Sequence, residues 1–313
     1  MLTRRWFVIS TAMVVAVLFF QAVPCHAKTV YVIGNSFSHN CEPYSLPALA
    51  KQDGNELTVG AHIKSGSPIH NIWGSPDNGR EISPDFGKYR DALTKHSWDV
   101  VTLQPFYKRP MGKFPQSTMK TDIDSILQFI KLARTNPANK KTKVYLYASW
   151  PFLWTRKPFQ QAWDANTANA LTTPTSHTRK YYEHLIKRLR ARTDAEIFMI
   201  PIPEVMYELD KKMRAGQVPG FSSLGDIMGD KLHLDHGIGH YLAGATVYST
   251  ICRTNPTGLV KPDGHYDSKD KKPLTPQMTK LINTTIWDVV SKHAYTGVAT
   301  KPKTRDAPGS QAQ

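Results

Sequence analysis

Two stretches of this chain hold residues whose chemistry could be joined. The first is Val30-Tyr31-Val32-Ile33-Gly34-Asn35-Ser36, an apolar run that stops abruptly at a glycine, an amide and a hydroxyl. The second is Asp230-Lys231-Leu232-His233-Leu234-Asp235-His236, with His240 following. A serine hydroxyl becomes a competent nucleophile when a neighbouring imidazole takes its proton, and a carboxylate on the far side of the ring fixes the tautomer that can do so. Ser36 suits that role if a strand ends there and a helix begins, because ligands collect at the carboxyl ends of strands in open α/β sheets and helix N-termini face negative charge. The plain alternative is that Ser36 caps the following helix. His236 and His240, four apart, share one face of a helix as paired zinc ligands do, but no glutamate lies between them and no cysteine is near. A helix start with spare histidines is the reading adopted, and neither a metal nor another cofactor is expected.

These groups need a scaffold, and the hydrophobic patterning describes one. Val30 to Ile33 suits a strand buried on both faces. Pro43 to Gln52 reads as a short helix closed by Asp53-Gly54. Glu56 to Ile63 reads as a second strand ending in Lys64-Ser65-Gly66-Ser67, where a glycine permits close approach of backbone to a ligand. Phe86 to His96 is helical, and Trp98 to Leu103 is a third strand stopped by Gln104-Pro105-Phe106. Ile123, Ile126, Leu127, Ile130 and Ala133 recur at helical spacing, with Asp122 and Asp124 in the first turn and Lys131 and Arg134 near the last, as the macrodipole favours. Val144 to Ala148 is a fourth strand running out into Ser149-Trp150-Pro151. Residues 152–173, aperiodic and carrying Trp154, Phe159 and Trp163, read as an insertion. Tyr182, Leu185, Ile186 and Leu189 mark a helix before the fifth strand, Ile197 to Ile200. Helices then follow from Glu204 to about Arg214, from Ile238 to Tyr248 and from Leu281 to Val290, the first two separated by a glycine-rich loop from Gly216 to Gly229. Strands alternating with helices predict right-handed crossovers and a five-stranded parallel sheet with helices on both faces, a three-layer α/β sandwich.

The chain of 313 residues carries a formal charge of +15. Arg4 and Arg5, the uncharged apolar run Trp6 to Phe20, and Cys25-His26-Ala27 describe a signal peptide over residues 1–27, cut after Ala27. Thr3-Arg4-Arg5-Trp6-Phe7 also resembles a twin-arginine signal, so both export routes stay open. The product is expected to be exported, periplasmic or secreted, with no second apolar span to hold it in a membrane. Residues 28–300 form one expected domain, and the polar, proline-containing stretch 301–313 a disordered tail. So basic a surface attracts polyanions, and for an exported protein acidic or sulfated polysaccharide comes ahead of nucleic acid, for which no motif is present. Cys41 and Cys252 remain after cleavage, as one disulfide or as two thiols. Oligomeric state is not readable from the chain.

Four blocks in order, Gly34-Asn35-Ser36-Phe37-Ser38, Gly66 after the second strand, Gln104 after the third, and Asp230-Lys231-Leu232-His233, resemble the SGNH/GDSL hydrolase superfamily. The resemblance runs from Val30 to about Ile251, with Asn35 where the name-giving pattern has Asp and Gln104 where Asn is usual. It implies a flavodoxin-like fold and a serine ester hydrolase in which Ser36 is the nucleophile, His233 the general base and Asp230 its partner. It also implies an oxyanion hole made by the backbone N–H groups of Ser36 and Gly66 and the side-chain amide of Gln104. For the catalytic carboxylate, Asp226 and Asp235 lie near enough in the chain to compete with Asp230. Asn35, Phe106 and Trp150 are candidates for the substrate pocket, although Asn35 could instead tie loops together below the site and Trp150 could be core. The expected substrate is a carbohydrate ester, a small molecule or a polysaccharide, anionic ones included, that loses a small acyl group, acetyl foremost. The alternatives are a lipase or thioesterase, and a non-catalytic carbohydrate- or polyanion-binding protein on the same scaffold.

Overall fold

The strand β1 (Lys28–Gly34) lies inside the sheet because Val30, Tyr31, Val32 and Ile33 are all buried, so both of its faces need cover. The computed structural model of the chain describes residues 28–106, 116–153, 158–167, 169–267 and 272–298. The expected signal peptide, the expected tail and Trp154 lie outside the described residues.

The remaining strands are β2 (Leu57–Ile63), β3 (Arg80–Ile82), β4 (Val100–Leu103), β5 (Lys143–Tyr147) and β6 (Ile197–Ile200), in the spatial order β3-β2-β1-β4-β5-β6. With β1 included, five of the six strands are parallel. The sixth, β3, runs antiparallel along the edge of β2, with Ala61 opposite Ile82 and Ile63 opposite Arg80. The sheet is therefore mixed and six-stranded, which corrects the expected five-stranded parallel sheet. Arg80-Glu81-Ile82 is too short for a period of two to show in sequence. It is set by its turns, with Gly79 at φ 147° before it and Ser83 at φ 65° after it.

The helices are α1 (Ser36–His39), α2 (Leu46–Gln52), α3 (Ile69–Trp73), α4 (Tyr89–Lys95), α5 (Met119–Ala133), α6 (Phe159–Trp163), α7 (Arg179–Arg190), α8 (Ile202–Arg214), α9 (Ile238–Cys252) and α10 (Pro276–Val290). Helices α3, α4, α5 and α7 pack together as one layer, and α2, α8, α9 and α10 as the other. The stretch read as an insertion contains α6, which buries Trp163 and Phe159 and packs on α8. Sequence suggested one apolar face for α9, yet all of its residues are buried, as expected of a helix that is apolar all round and enclosed on every side. Gly244 lets it sit that deep, since a Cβ there would come within 2.4 Å of Tyr266 Oη.

Asp122, which the sequence placed at the N-terminus of α5 for its charge, is fully buried. It accepts from Thr175 Oγ1 at 2.6 Å and Tyr181 Oη at 2.9 Å. Burial pushes its carboxyl up to about 7. Cys41 and Cys252 are both buried, and they form no disulfide.

The strands next to β1 are β2 on one side and β4 on the other, so the winding direction reverses at β1. In doubly wound sheets the crevice outside the carboxyl ends of the strands at that reversal is where ligands bind. Ser36 follows β1 there and Gln104 follows β4.

Candidate active site

Gly34 ends β1 and the chain turns at once into α1. A Cβ at Gly34 would lie 2.1 Å from Ser38 Oγ and 2.6 Å from Gln104 Oε1, so only glycine lets the turn close over Gln104. Asn35 has extended backbone and caps α1, its Oδ1 accepting from the Phe37 N–H at 3.0 Å. Its Nδ2 donates to the Ser67 carbonyl at 3.0 Å, which ties the Gly66-Ser67 loop to the turn. Ser36 is thus the first residue of α1, presented at the open edge of the sheet.

A tight loop brings the second stretch to it. The Gly229 N–H donates to the His233 carbonyl at 2.9 Å, and Met228 bridges Leu234 across the loop. Within it, Asp230 Oδ1 accepts from the N–H groups of Leu232 and His233, both at 2.6 Å. Asp230 Oδ2 lies 2.9 Å from His233 Nδ1, and His233 Nε2 lies 2.9 Å from Ser36 Oγ. Three residues from two distant stretches therefore form one hydrogen-bonded chain. The competing carboxylates are occupied elsewhere: Asp226 takes the Ser222 N–H and Lys272, and Asp235 takes the Gly239 N–H at the start of α9.

Partial burial works to raise the Asp230 carboxyl, but the His233 ring and the two backbone N–H groups outweigh it and hold it below the usual carboxylate range. The group stays an anion, the form that accepts the Nδ1 proton and leaves Nε2 free to accept from Ser36. Behind this front, His177 packs against Phe37 with ring centroids 5.6 Å apart, and its burial pushes it down to about 4.

Gln104 is fully buried, and its position corrects the expectation that it supplies an oxyanion donor. Its Nε2 donates to Asn35 Oδ1 at 2.9 Å and to Ser149 Oγ at 3.2 Å. Its Oε1 accepts from the Asn35 N–H, the Ser38 N–H and Ser38 Oγ at 2.9, 3.0 and 2.7 Å. Both amide protons are spent inside the protein, and the longer stem of Gln is what reaches beneath the turn. Gly66 is exposed, at φ 63° with open space beside its Cα. The backbone N–H groups of Ser36 and Gly66 donate to no acceptor among the described residues.

Phe106 and Trp150, expected in the substrate pocket, are buried instead. Phe106 packs on Phe37, Phe152 and His177. Trp150 stacks obliquely on Phe37 at 4.5 Å, and its Nε1–H donates to the Leu232 carbonyl at 3.0 Å, next to His233. Both form the floor of the site. Asn35 is likewise a buried brace that ties two loops together.

The cleft itself, about 450 Å³, is lined by Ser36, His39, Asn40, His233, His236 and His240 with neighbouring loop residues. Sequence reasoning passed over Asn40 and Glu42. Asn40 Oδ1 accepts from the Leu234 N–H at 3.3 Å, so it links the end of α1 to the His233 loop. His240 is fully buried, with Nε2 2.7 Å from Asn40 Nδ2 and Nδ1 2.9 Å from Glu42 Oε1. The signal available was the stretch Ser38-His39-Asn40-Cys41-Glu42, polar but for Cys41 and starting just past Phe37, where an ordinary crossover would carry apolar residues.

No protein-family model matches this chain, and no curated protein matches it in sequence. Among solved structures, a DUF4886 family protein from Bacteroides uniformis ATCC 8492 is similar over 84% of this chain and 94% of its own, with a TM-score of 0.56 and 18% sequence identity. A carbohydrate esterase family 2 enzyme with its carbohydrate binding domain, from Corynascus thermopiles (Myceliophthora fergusii), overlays 74% of this chain and 67% of its own, with a TM-score of 0.36 and 13% identity. The first of these likenesses is one of α/β fold.

Proposed function

We propose that this chain is an exported serine ester hydrolase of the SGNH type, one that removes a small acyl group, acetyl foremost, from a carbohydrate. The observation that carries the reading is the unbroken chain from Ser36 Oγ through both nitrogens of His233 to Asp230, each link 2.9 Å, at the sheet's switch point. In the first half-reaction His233 Nε2 takes the Ser36 proton as Oγ attacks the ester carbonyl. The resulting imidazolium, balanced by Asp230, returns that proton to the leaving sugar hydroxyl as the C–O bond breaks. Water then repeats the sequence on the acyl-serine, releasing the carboxylic acid and restoring Ser36. The backbone N–H groups of Ser36 and Gly66 bind the oxyanion, and one such donor is worth about 10²- to 10³-fold in rate.

A cleft lined mainly by histidine, asparagine and aspartate residues favours a small acyl group over a lipid chain, which needs a long apolar channel. The formal charge, +15 for the whole chain and +13 once Arg4 and Arg5 are lost with residues 1–27, favours an anionic polysaccharide as the alcohol part. Among the described residues no helix is long and apolar enough to cross a membrane. The test is hydrolysis of para-nitrophenyl acetate by the wild type beside Ser36→Ala and His233→Ala. Both variants are expected to stay folded and to lose at least about 10³-fold in kcat. A wild type no faster than its variants would overturn the small-acyl reading, and esters of longer acyl chains would then separate the lipase or thioesterase reading from the non-catalytic carbohydrate-binding one.

A further inference from the structure

The same cleft holds a second set of donors that the serine chemistry does not use. Glu42, His236 and His240 each offer one ligand atom, and these atoms lie within 4.8 Å of one another. Glu42 Oε1 and His240 Nδ1 are already 2.9 Å apart, and the rings of His236 and His240 meet at 4.4 Å between centroids. Two histidines and a glutamate are a recurring three-residue donor set for zinc, with the fourth position left to water or a ligand. The carboxylate donor comes from far away in the sequence, just after α1.

We infer that Glu42, His236 and His240 form a binding site for one divalent transition-metal ion of the zinc class. Donors about 2.0–2.2 Å from such an ion stand roughly 3.0–3.5 Å from each other, so Glu42 and His240 sit near that spacing and His236 has to close by about 1.5 Å. His236 is exposed and precedes α9, so its side chain is free to make that move. In the metal-free protein a proton on His240 Nδ1 donates to Glu42. To ligate through Nδ1 the ring shifts to its other tautomer: the proton passes from Nδ1 to Nε2, and the Asn40 amide turns to present Oδ1 to it, so His240 binds as a neutral imidazole and no proton is lost.

The outer contacts are those that orient metal ligands. The other nitrogen of His240 meets the Asn40 amide nitrogen at 2.7 Å, and turning that amide, at the expense of the 3.3 Å bond from the Leu234 N–H, gives the Nε2 proton an acceptor. The second carboxylate oxygen of Glu42 accepts from Ser45 Oγ at 2.9 Å and from the Tyr266 N–H at 3.4 Å. Ser45 in turn lies 2.7 Å from His265 Nδ1. Glu42 is itself held at φ 44°, a left-handed backbone that a glutamate rarely adopts and that surrounding structure must enforce. Mixed imidazole and carboxylate donors select zinc-like ions over magnesium, which prefers oxygen alone.

The experiment is isothermal titration of the untagged, chelator-treated protein with Zn²⁺ and, separately, Mg²⁺, without any ester present. Wild type and His233→Ala are expected to bind one zinc with similar affinity, and His236→Ala to bind at least about tenfold more weakly, with no heat from magnesium in any of them. Zinc is also expected to raise the melting temperature of the wild type and to leave that of His236→Ala unmoved. Absence of zinc binding, or an affinity unchanged by His236→Ala, would overturn the site. Binding lost in His233→Ala but kept in His236→Ala would do so too, by moving the ion onto the serine's base. None of these readouts depends on hydrolysis, so the inference and the esterase reading fail separately.

Discussion

Replacing Gln104 by Met keeps a buried side chain of similar length and removes both ends of its amide. Three donors then face a thioether: the Asn35 N–H, the Ser38 N–H and the Ser38 hydroxyl, which in the wild type converge on Oε1 at 2.9, 3.0 and 2.7 Å. A buried donor left unpaired costs about 1–3 kcal/mol. The three share one acceptor and the hydroxyl can turn, so their costs do not add in full and the loss comes to about 3–5 kcal/mol. Side-chain volume is nearly conserved, so a cavity adds little. Such a loss is a large share of the roughly 5–15 kcal/mol that holds a typical domain together. Urea unfolding followed by tryptophan fluorescence reads it as a lower midpoint at unchanged slope. On para-nitrophenyl acetate the folded variant is expected to keep its KM and lose kcat as the Ser36 turn slackens. The opposite pattern would refute the reasoning: stability within about 1 kcal/mol of wild type with a loss of about 100-fold or more in kcat is what an oxyanion donor, not a staple of the turn, would give.

Asp230→Asn removes the charge behind His233 but leaves Oδ1 to accept from the Leu232 and His233 N–H groups. Because the Asp230 side chain is 59% exposed, solvent screens it, and the expected fall in kcat is about 10- to 100-fold, short of what a buried partner costs; initial rates across the acid range check this, and an unchanged kcat would remove Asp230 from the mechanism. Asp122 titrates in the fold at about 7, above its ordinary value of 3.8, so its contribution to stability is fully present below about pH 4 and is lost as pH rises to about 7. Asp122→Asn keeps an acceptor for Thr175 and Tyr181, and is therefore expected to gain on the wild type over that window by up to about 4 kcal/mol; parallel urea midpoints from pH 4 to 7.5 would show that no buried charge is at work.

Much of the scaffold was legible because it rests on local periodicity. Val30 to Ile33, the repeat from Ile123 to Ala133 and the run Ile197 to Ile200 each carry their own period and found their places in the sheet and helices. Strand β3 did not, since three residues carry no period and its pairing with β2 is a long-range choice. The depth of α9 was also hidden, because burial on every side depends on what packs around a helix and not on its own moment.

At the site, Ser36, Asp230 and His233 stood out in the sequence because each block is local and a hydroxyl, an imidazole and a carboxylate are the groups that the proposed chemistry would use. Their meeting was not legible there, and neither was the choice of Asp230 over Asp226 and Asp235, which follows from the tight loop between Gly229 and Leu234. The amide of Gln104 looked the same from sequence whether it faced a ligand or the turn, and only the buried donors of Asn35 and Ser38 decide between them. Trp150 and Phe106 likewise carried no mark of which side of Phe37 they occupy. The sequence by itself determined which chemical groups are present and which segments are strands and helices, since side-chain identity and short-range period are properties of the chain alone. Only the tertiary structure decided which groups share an atom's reach, as when Glu42 meets His240 at 2.9 Å, because hydrogen bonds act over about 3 Å and sequence distance does not measure that.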